Sequence, residues 1–246
     1  MKNIIDLTAL KVTLGGNEIL RDLSLEIPPG QWCSVIGPSG CGKSTLLRAV
    51  AGLIPCQFDE FVTEFQTPAF VFQDPTLMPW RSVRENVQLP LELSGAGRID
   101  DARNASSVVL KAIDQVGLNV EDLEKFPRQL SGGMRMRVSM ARALVTQPDV
   151  LFMDEPFAAL DELLRHQLNQ LIHEICSKYN LTTMFVTHNV SEAVYLSDRI
   201  LIMNHDGAIV SDMEITFSNQ REPGIRGSAE YISLVHQVTQ RLQEAM

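Results

Sequence analysis

The chain has 246 residues, 45% of them apolar and 21% charged, with a net charge of −9 and a pI near 5.0. That length suits one large α/β domain, or a core carrying a smaller lobe, and ordinary Gly, Pro and charge content excludes collagen-like, repetitive and disordered chains. The acidic balance argues against a protein whose main business is gripping nucleic acid, because phosphate binding needs a basic face; no nucleic-acid partner is expected.

In chain order, residues 4–14 and 18–27 read as strands, with Pro28-Pro29-Gly30 turning the chain after the second. Gln31 to Ile36 is a short apolar run ending at Gly37, as in a buried strand, and Lys43 to Ala51 has helical character. A further strand runs from about Thr67 to Phe72 and is broken by Asp74-Pro75. Helical spacing then holds from Ser82 to about Leu144; Met134, Val138, Ala141 and Val145 lie on one face of a helix starting after Ser131. Strand character returns at Val150 to Met153, Thr183 to Val186 and Arg199 to Met203, and Leu163 to Tyr179 is helical. Gly207 marks a hairpin into Ala208 to Ile215, and Ala229 to Glu244 forms an amphipathic helix after Arg221-Glu222-Pro223-Gly224.

Strands alternating with helices imply a mainly parallel, buried sheet. The reading is a single domain over 1–246, with a core at about 1–82 and 144–215, an inserted helical lobe at about 83–143 and a short tail at 216–246. Cys33, Cys41, Cys56 and Cys176 have no paired spacing and read as free thiols in a reducing compartment. The N-terminal stretch lacks the apolar run of a signal peptide, and no segment approaches the roughly 20 apolar residues of a membrane helix. Any membrane role must therefore come through a partner.

Gly37-Pro38-Ser39-Gly40-Cys41-Gly42-Lys43-Ser44-Thr45 matches G-x-x-x-x-G-K-[ST] and lies between a predicted strand and a predicted helix, the context that motif requires. Glycines let the backbone fold closely around phosphate oxygens so that successive N–H groups point inward, and the helix adds its positive end. Lys43 should reach the β- and γ-phosphates of ATP, and the Ser44 hydroxyl should hold Mg²⁺. Val150 to Pro156 is a buried strand that delivers two carboxylates at its C-terminal end. Asp154 suits the metal; Glu155 suits the general base or positioner of the attacking water. Leu130-Ser131-Gly132-Gly133-Met134 offers a second anion site, a Ser hydroxyl and two Gly N–H groups opening a helix. A second such helix end is redundant within one site and makes sense if it closes over the nucleotide of another copy.

These motifs resemble the ABC ATPase family over nearly the whole chain. The P-loop at 37–45, Gln73, the Leu-Ser-Gly-Gly signature at 130–133, Asp154-Glu155, Ala159-Leu160-Asp161 and Thr187-His188 occur in the family's order and spacing. The resemblance implies a RecA-like core with a parallel sheet, an antiparallel β part and an inserted α-helical lobe, and an ATP-hydrolysing subunit using ATP and Mg²⁺. It implies that Gln73 contacts Mg²⁺ or the attacking water, that Ser131, Gly132 and Gly133 clasp the ATP held by a partner copy, that Asp161 couples the two sites, and that His188 bridges the γ-phosphate. Leu14 stands where many members carry an adenine-stacking aromatic, so apolar contact replaces stacking there; Met136, Ala158 and Asn189 also depart from the common pattern.

Asp74 to Val87, with Leu77-Met78-Pro79-Trp80 and Glu85-Asn86-Val87, looks like the importer ATPases for nitrate, sulfonate, taurine and related solutes. That group implies a homodimer on the cytoplasmic face of the plasma membrane, bound to an integral membrane permease and served indirectly by an extracytoplasmic solute-binding protein. Trp80 and Met78 are then anchors for the membrane subunit, or Trp80 packs within the helical lobe. A non-transport ABC ATPase and an exporter subunit remain as alternatives, disfavoured by the lack of coiled-coil insertions or a second cassette and by the Leu-Met-Pro-Trp run respectively.

Overall fold

The structure, a computed structural model, describes residues 3–93, 102–218, 221 and 223–246. Residues 94–101 of the stretch read as the helical lobe, and residues 219, 220 and 222 of the tail, lie outside the described residues. Two compact units emerge, one of Met1–Phe65, Phe152–Glu155 and Cys176–Met246, the other of Gln66–Leu151 and Pro156–Ile175.

In chain order the first unit supplies β1 (Ile5–Leu14), β2 (Asn17–Ile27), β3 (Trp32–Ile36), α1 (Lys43–Val50) and β4 (Glu60–Thr63). The second supplies β5 (Pro68–Phe72), α2 (Val83–Leu93), α3 (Ala102–Gln115) and α4 (Gly132–Leu144). Next come β6 (Val150–Asp154), whose residues from Phe152 belong to the first unit, and α5 (Glu162–Tyr179), whose residues to Ile175 belong to the second. The chain ends in the first unit with β7 (Thr182–Val186), α6 (Val190–Leu196), β8 (Arg199–Met203), β9 (Ile209–Glu214) and α7 (Ala229–Glu244).

In the first unit, β3 pairs in parallel with β7 and β8, within the strand order β6-β7-β3-β8-β9. β3, β6 and β7 are buried along their whole length, which is why they read as unbroken apolar runs. β9 pairs antiparallel with β8 and alternates in burial, as an edge strand does. The hairpin between them needs Gly207: its φ is 77°, and a Cβ there would run into the Ile19 carbonyl oxygen. A second sheet, β2-β1-β4, is antiparallel throughout. In β1 the inside-outside alternation slips at Ala9 and Leu10, both buried. There a bulge with Ala9 at φ 56° inserts a residue, and the displaced Ala9 N–H donates to Ser24 Oγ at 3.2 Å.

In the second unit α2, α3 and α4 pack on one another over Val83, Val87, Val109, Ile113, Val138 and Met140. Ser82 and Glu85 open α2 as a reciprocal cap: Ser82 N–H donates to Glu85 Oε2 (2.7 Å) and Glu85 N–H to Ser82 Oγ (3.3 Å). The Ser82 backbone bond also holds the Glu85 carboxyl below the usual carboxylate range. Asn86, fully buried, fastens the preceding loop: Oδ1 accepts from Met78 N–H (2.8 Å), and Nδ2 donates to the carbonyls of Met78 (3.2 Å), Arg81 (3.0 Å) and Ser82 (2.9 Å). Asn86→Ala strands these carbonyls and is expected to destabilise the fold by about 2–4 kcal/mol in urea unfolding. A loss under about 0.5 kcal/mol would remove the structural role assigned to Asn86. The loop so held leaves Trp80 with 72% of its surface exposed, so the indole does not pack into the helices of its own unit.

Candidate nucleotide site

The phosphate loop spans the turn from β3 into α1. Its glycines answer to separate constraints. A Cβ at Gly37 would sit 2.6 Å from the Met203 carbonyl oxygen, and one at Gly42, at φ 102° just before α1, 2.9 Å from the Leu20 side chain. Ser39 and Gly40 at the crown are exposed, so the loop presents its backbone outward there. Cys41 is buried beneath them; burial pushes its thiol up, opposed by the Lys43 charge. Cys33 and Cys176, wholly enclosed, are pushed up to about 12 by burial, and all four cysteines are free.

Lys43, 6% exposed, folds its ammonium back across the loop to donate to the carbonyls of Gly37 (3.0 Å) and Pro38 (2.8 Å). The charge is thereby centred over the cradle. Ser44 Oγ donates to Asp154 Oδ1 at 2.6 Å, which joins the first turn of α1 to the end of β6. The other carboxylate oxygen, Oδ2, accepts from Arg48 at 3.0 Å. Arg48 was missed in the sequence, although its place one turn beyond Ser44 on α1 puts both side chains on one face. Asp154 is 5% exposed and fully engaged by these two partners.

Glu155 follows in a left-handed conformation at φ 47°, costly for a residue with a side chain, by about 1–3 kcal/mol. Its N–H donates to Val186 at the end of β7 (2.9 Å), which turns the side chain out of the sheet. Glu155 Oε2 lies 2.9 Å from Nδ1 of His188, in the loop that follows β7. Leu14, 40% exposed, ends β1 at a Gly15-Gly16 turn in the same unit. So this unit brings together Gly37 to Thr45, Asp154, Glu155 and His188.

The remaining predicted residues belong to the second unit. Gln73 is exposed just past β5. Ser131 is the N-cap of α4, its Oγ accepting from Met134 N–H at 3.2 Å; Ser131 and Gly132 are exposed, and Gly133 is buried. A Cβ on Gly132 has room, with the nearest atom at 3.9 Å, whereas one on Gly133 would lie 2.5 Å from the Leu164 side chain. Asp161 caps α5 by accepting from Leu164 N–H at 3.0 Å, and Arg165 donates to the Leu160 carbonyl at 2.8 Å. The signature turn and the Asp161 loop are therefore packed through Gly133 and Leu164.

Residues 20–158 match the protein-family model described as "ABC transporter". The chain belongs to the ABC transporter ATPase family. It is 42% identical over 233 residues, spanning 92% of this chain and 82% of the relative, to "Aliphatic sulfonates import ATP-binding protein SsuB 1" of Rhizobium johnstonii. It is 39% identical to a protein named as the SsuB import ATP-binding protein for aliphatic sulfonates in Rhodopseudomonas palustris, spanning 97% of this chain and 83% of that one. Among solved structures, the "post-hydrolysis state of the ATP-binding cassette MJ0796 bound to ADP and Pi" superposes with a TM-score of 0.74 at 26% identity, over 87% of this chain and 99% of that one. The cbiO1 cassette of Clostridium perfringens shares the fold, with a TM-score of 0.79 at 21% identity over 99% and 97% of the two chains. The α/β P-loop fold read from the sequence holds, and the chain is an ATP-binding, ATP-hydrolysing transporter subunit.

Proposed function

We infer that the chain is one half of a two-site motor that powers import of a small oxyanion of the aliphatic sulfonate class. The observation that carries this is the pairing, in one unit, of the Lys43 cradle with the Ser44–Asp154 and Glu155–His188 contacts, in a chain whose relatives are named for sulfonate import. A membrane permease would supply the pore, since no helix among the described residues is long and apolar enough to cross a membrane. The chain would then sit peripherally at the cytoplasmic face, and an extracytoplasmic binding protein would deliver the solute. Exposed Trp80, with Met78 beside the Asn86 tie, supplies a rigid apolar anchor for that permease.

Within the site, the loop N–H groups from Gly37 to Thr45 and the Lys43 ammonium would bind the β- and γ-phosphates. A Ser hydroxyl 2.6 Å from a carboxylate is a hard oxygen pair that fits Mg²⁺, which keeps several waters and takes few protein ligands. Bound with the nucleotide through Ser44 and Asp154, Mg²⁺ would neutralise phosphate charge. Glu155 takes a proton from the water whose oxygen bonds to the γ-phosphorus, as the bond to the β-phosphate oxygen breaks and ADP leaves. His188, held by Glu155, donates toward the γ-phosphate. Leu14 meets the adenine with apolar surface. Ser131, Gly132 and Gly133 clasp the ATP of a second copy, and Asp161 links the two sites across that interface; the helical lobe read at 83–143 carries the clasp.

Uptake of a labelled alkanesulfonate tests the cargo, in cells in which this chain is the sole cassette for its permease. Deleting the chain should abolish that uptake and leave sulfate uptake unchanged; undiminished uptake removes the sulfonate assignment.

A further inference from the structure

Residues 216–246 supply none of the phosphate or carboxylate groups above, yet their side chains converge on α6, a helix of only seven residues that follows His188 almost directly. Tyr231, 5% exposed, donates its hydroxyl to the Ser191 carbonyl in the first turn of α6 at 2.8 Å. At the other end of α6, Arg221 donates to the carbonyls of Leu196 (3.3 Å) and Ser197 and to the Asp198 carboxylate (3.0 Å). Between these grips the Arg226 guanidinium lies 4.0 Å over the Tyr195 ring. Phe217 stacks on Tyr231, with ring centroids 6.4 Å apart, and lies 5.3 Å below Arg221, so the tail residues form one cluster.

A two-turn helix cannot hold itself in place, and its last carbonyls need partners from elsewhere. The tail provides both the partners and the fixed wall. The near end of α6 is bound into the backbone around His188. Thr187 Oγ1 donates to Glu192 Oε2 at 2.6 Å and accepts from Asn189 N–H at 3.0 Å; Thr187 and Glu192 are both buried. Asn189 Oδ1 in turn caps the helix through Glu192 N–H at 3.1 Å. The backbone of exposed His188 is flanked by these bonds at Thr187 and Asn189, so it follows the start of α6, and α6, seated on β3, is gripped at both ends by the tail.

We propose that the tail is a positioning element of the ATPase site: Tyr231 and Arg221 hold α6 in the place that keeps His188 against Glu155. This rests on the roles given to His188 and Glu155 under the proposed function. Tyr231→Phe tests it, because it removes one hydroxyl and retains the stacked ring. With full-length chain and Mg-ATP, kcat should fall about tenfold while KM for ATP stays within about twofold, since a small displacement of a reacting group costs on the order of 10–100-fold. In a His188→Ala background the same substitution should cost nothing further, because its route of action is gone. Arg221→Lys, which keeps the charge but loses the fork that grips two carbonyls, should show the same coupling. A wild-type kcat for Tyr231→Phe overturns the proposal, as do losses that multiply with His188→Ala; either leaves the roles of His188 and Glu155 standing. If His188→Ala itself turns over at the wild-type rate, the role of His188 falls, and the proposal falls with it.

Discussion

Glu155→Gln is expected to lower ATP turnover by about 10²–10⁴-fold, the usual contribution of a positioned general base, with ATP binding retained. The substitution is close to isosteric. Gln tolerates the left-handed backbone no worse than Glu, and its amide can keep a hydrogen bond to His188 across the present 2.9 Å. Lys43, Ser44 and Asp154 are untouched, and each is already held by bonds that do not involve residue 155. What is lost is the carboxylate that accepts a proton beside the imidazole. A chain that binds ATP and cannot cleave it should also accumulate as an ATP-bound dimer, because the γ-phosphate contacts proposed to hold two copies together would never be removed. Phosphate release and light scattering with ATP read the two effects. Phosphate release at the wild-type rate would sink the assignment of Glu155 as base.

The backbone outlier at Glu155 sharpens this assignment. A strained conformation persists only where the surroundings over-determine it. Here β6 ends at Asp154, which points its carboxylate toward Ser44 and Arg48, and Glu155 N–H must meet Val186 on the neighbouring strand. The chain can satisfy both only by turning sharply between two adjacent acidic residues. Two consecutive carboxylates thereby acquire different neighbours, a hydroxyl and a guanidinium for one, an imidazole for the other. The sequence announces the pair; only the fold separates their surroundings.

Much of the fold was legible because the long or fully buried elements carry strong periodic signals. The extent of β8 and of α7 coincides with the reading from apolar pattern and punctuation alone. Elements whose existence depends on distant partners were not legible. β4, four residues with half-buried or exposed side chains, is a strand because it pairs with the start of β1 more than fifty residues earlier. α6 is too short for a helical period to declare itself, and it stands through the cap at Asn189 and the tail's grip. The slip at Ala9 breaks the alternation a reader would extend through β1. At the site the motifs place the phosphate loop and the acidic strand, but Arg48 belongs to no motif and is found only when α1 is laid beside β6. The Ser82–Glu85 cap, seen only in the structure, explains with Asn86 why the stretch before α2 is so constrained.

Ser131→Arg should abolish ATP-dependent dimer formation while leaving each chain's own nucleotide affinity unchanged. Ser131 lies in the second unit, and its side chain supports α4 through the cap to Met134, worth about 1 kcal/mol, while its carbonyl still accepts from Arg135 N–H after substitution, so the fold should survive the change. The consequence lies outside the chain. The first turn of α4 offers unpaired N–H groups and the positive end of a helix dipole, and Gly132 leaves open space above them. On the proposed reading that surface receives an anion brought by another copy, because the same chain already has a cradle at 37–45. An arginine there fills the opening and holds a charge against the Lys43 cradle expected opposite it, where a like-charge meeting costs several kcal/mol. Placed in a Glu155→Gln chain, it should convert an ATP-locked dimer into a monomer at every ATP concentration tested, with equilibrium dialysis still giving the single-variant affinity. The comparison separates two ways for the signature to act. If it merely stabilised its own helix, the double variant would dimerise normally and lose only unfolding free energy. If it completes the site of the other copy, association vanishes while the binding of ATP by the same chain does not change.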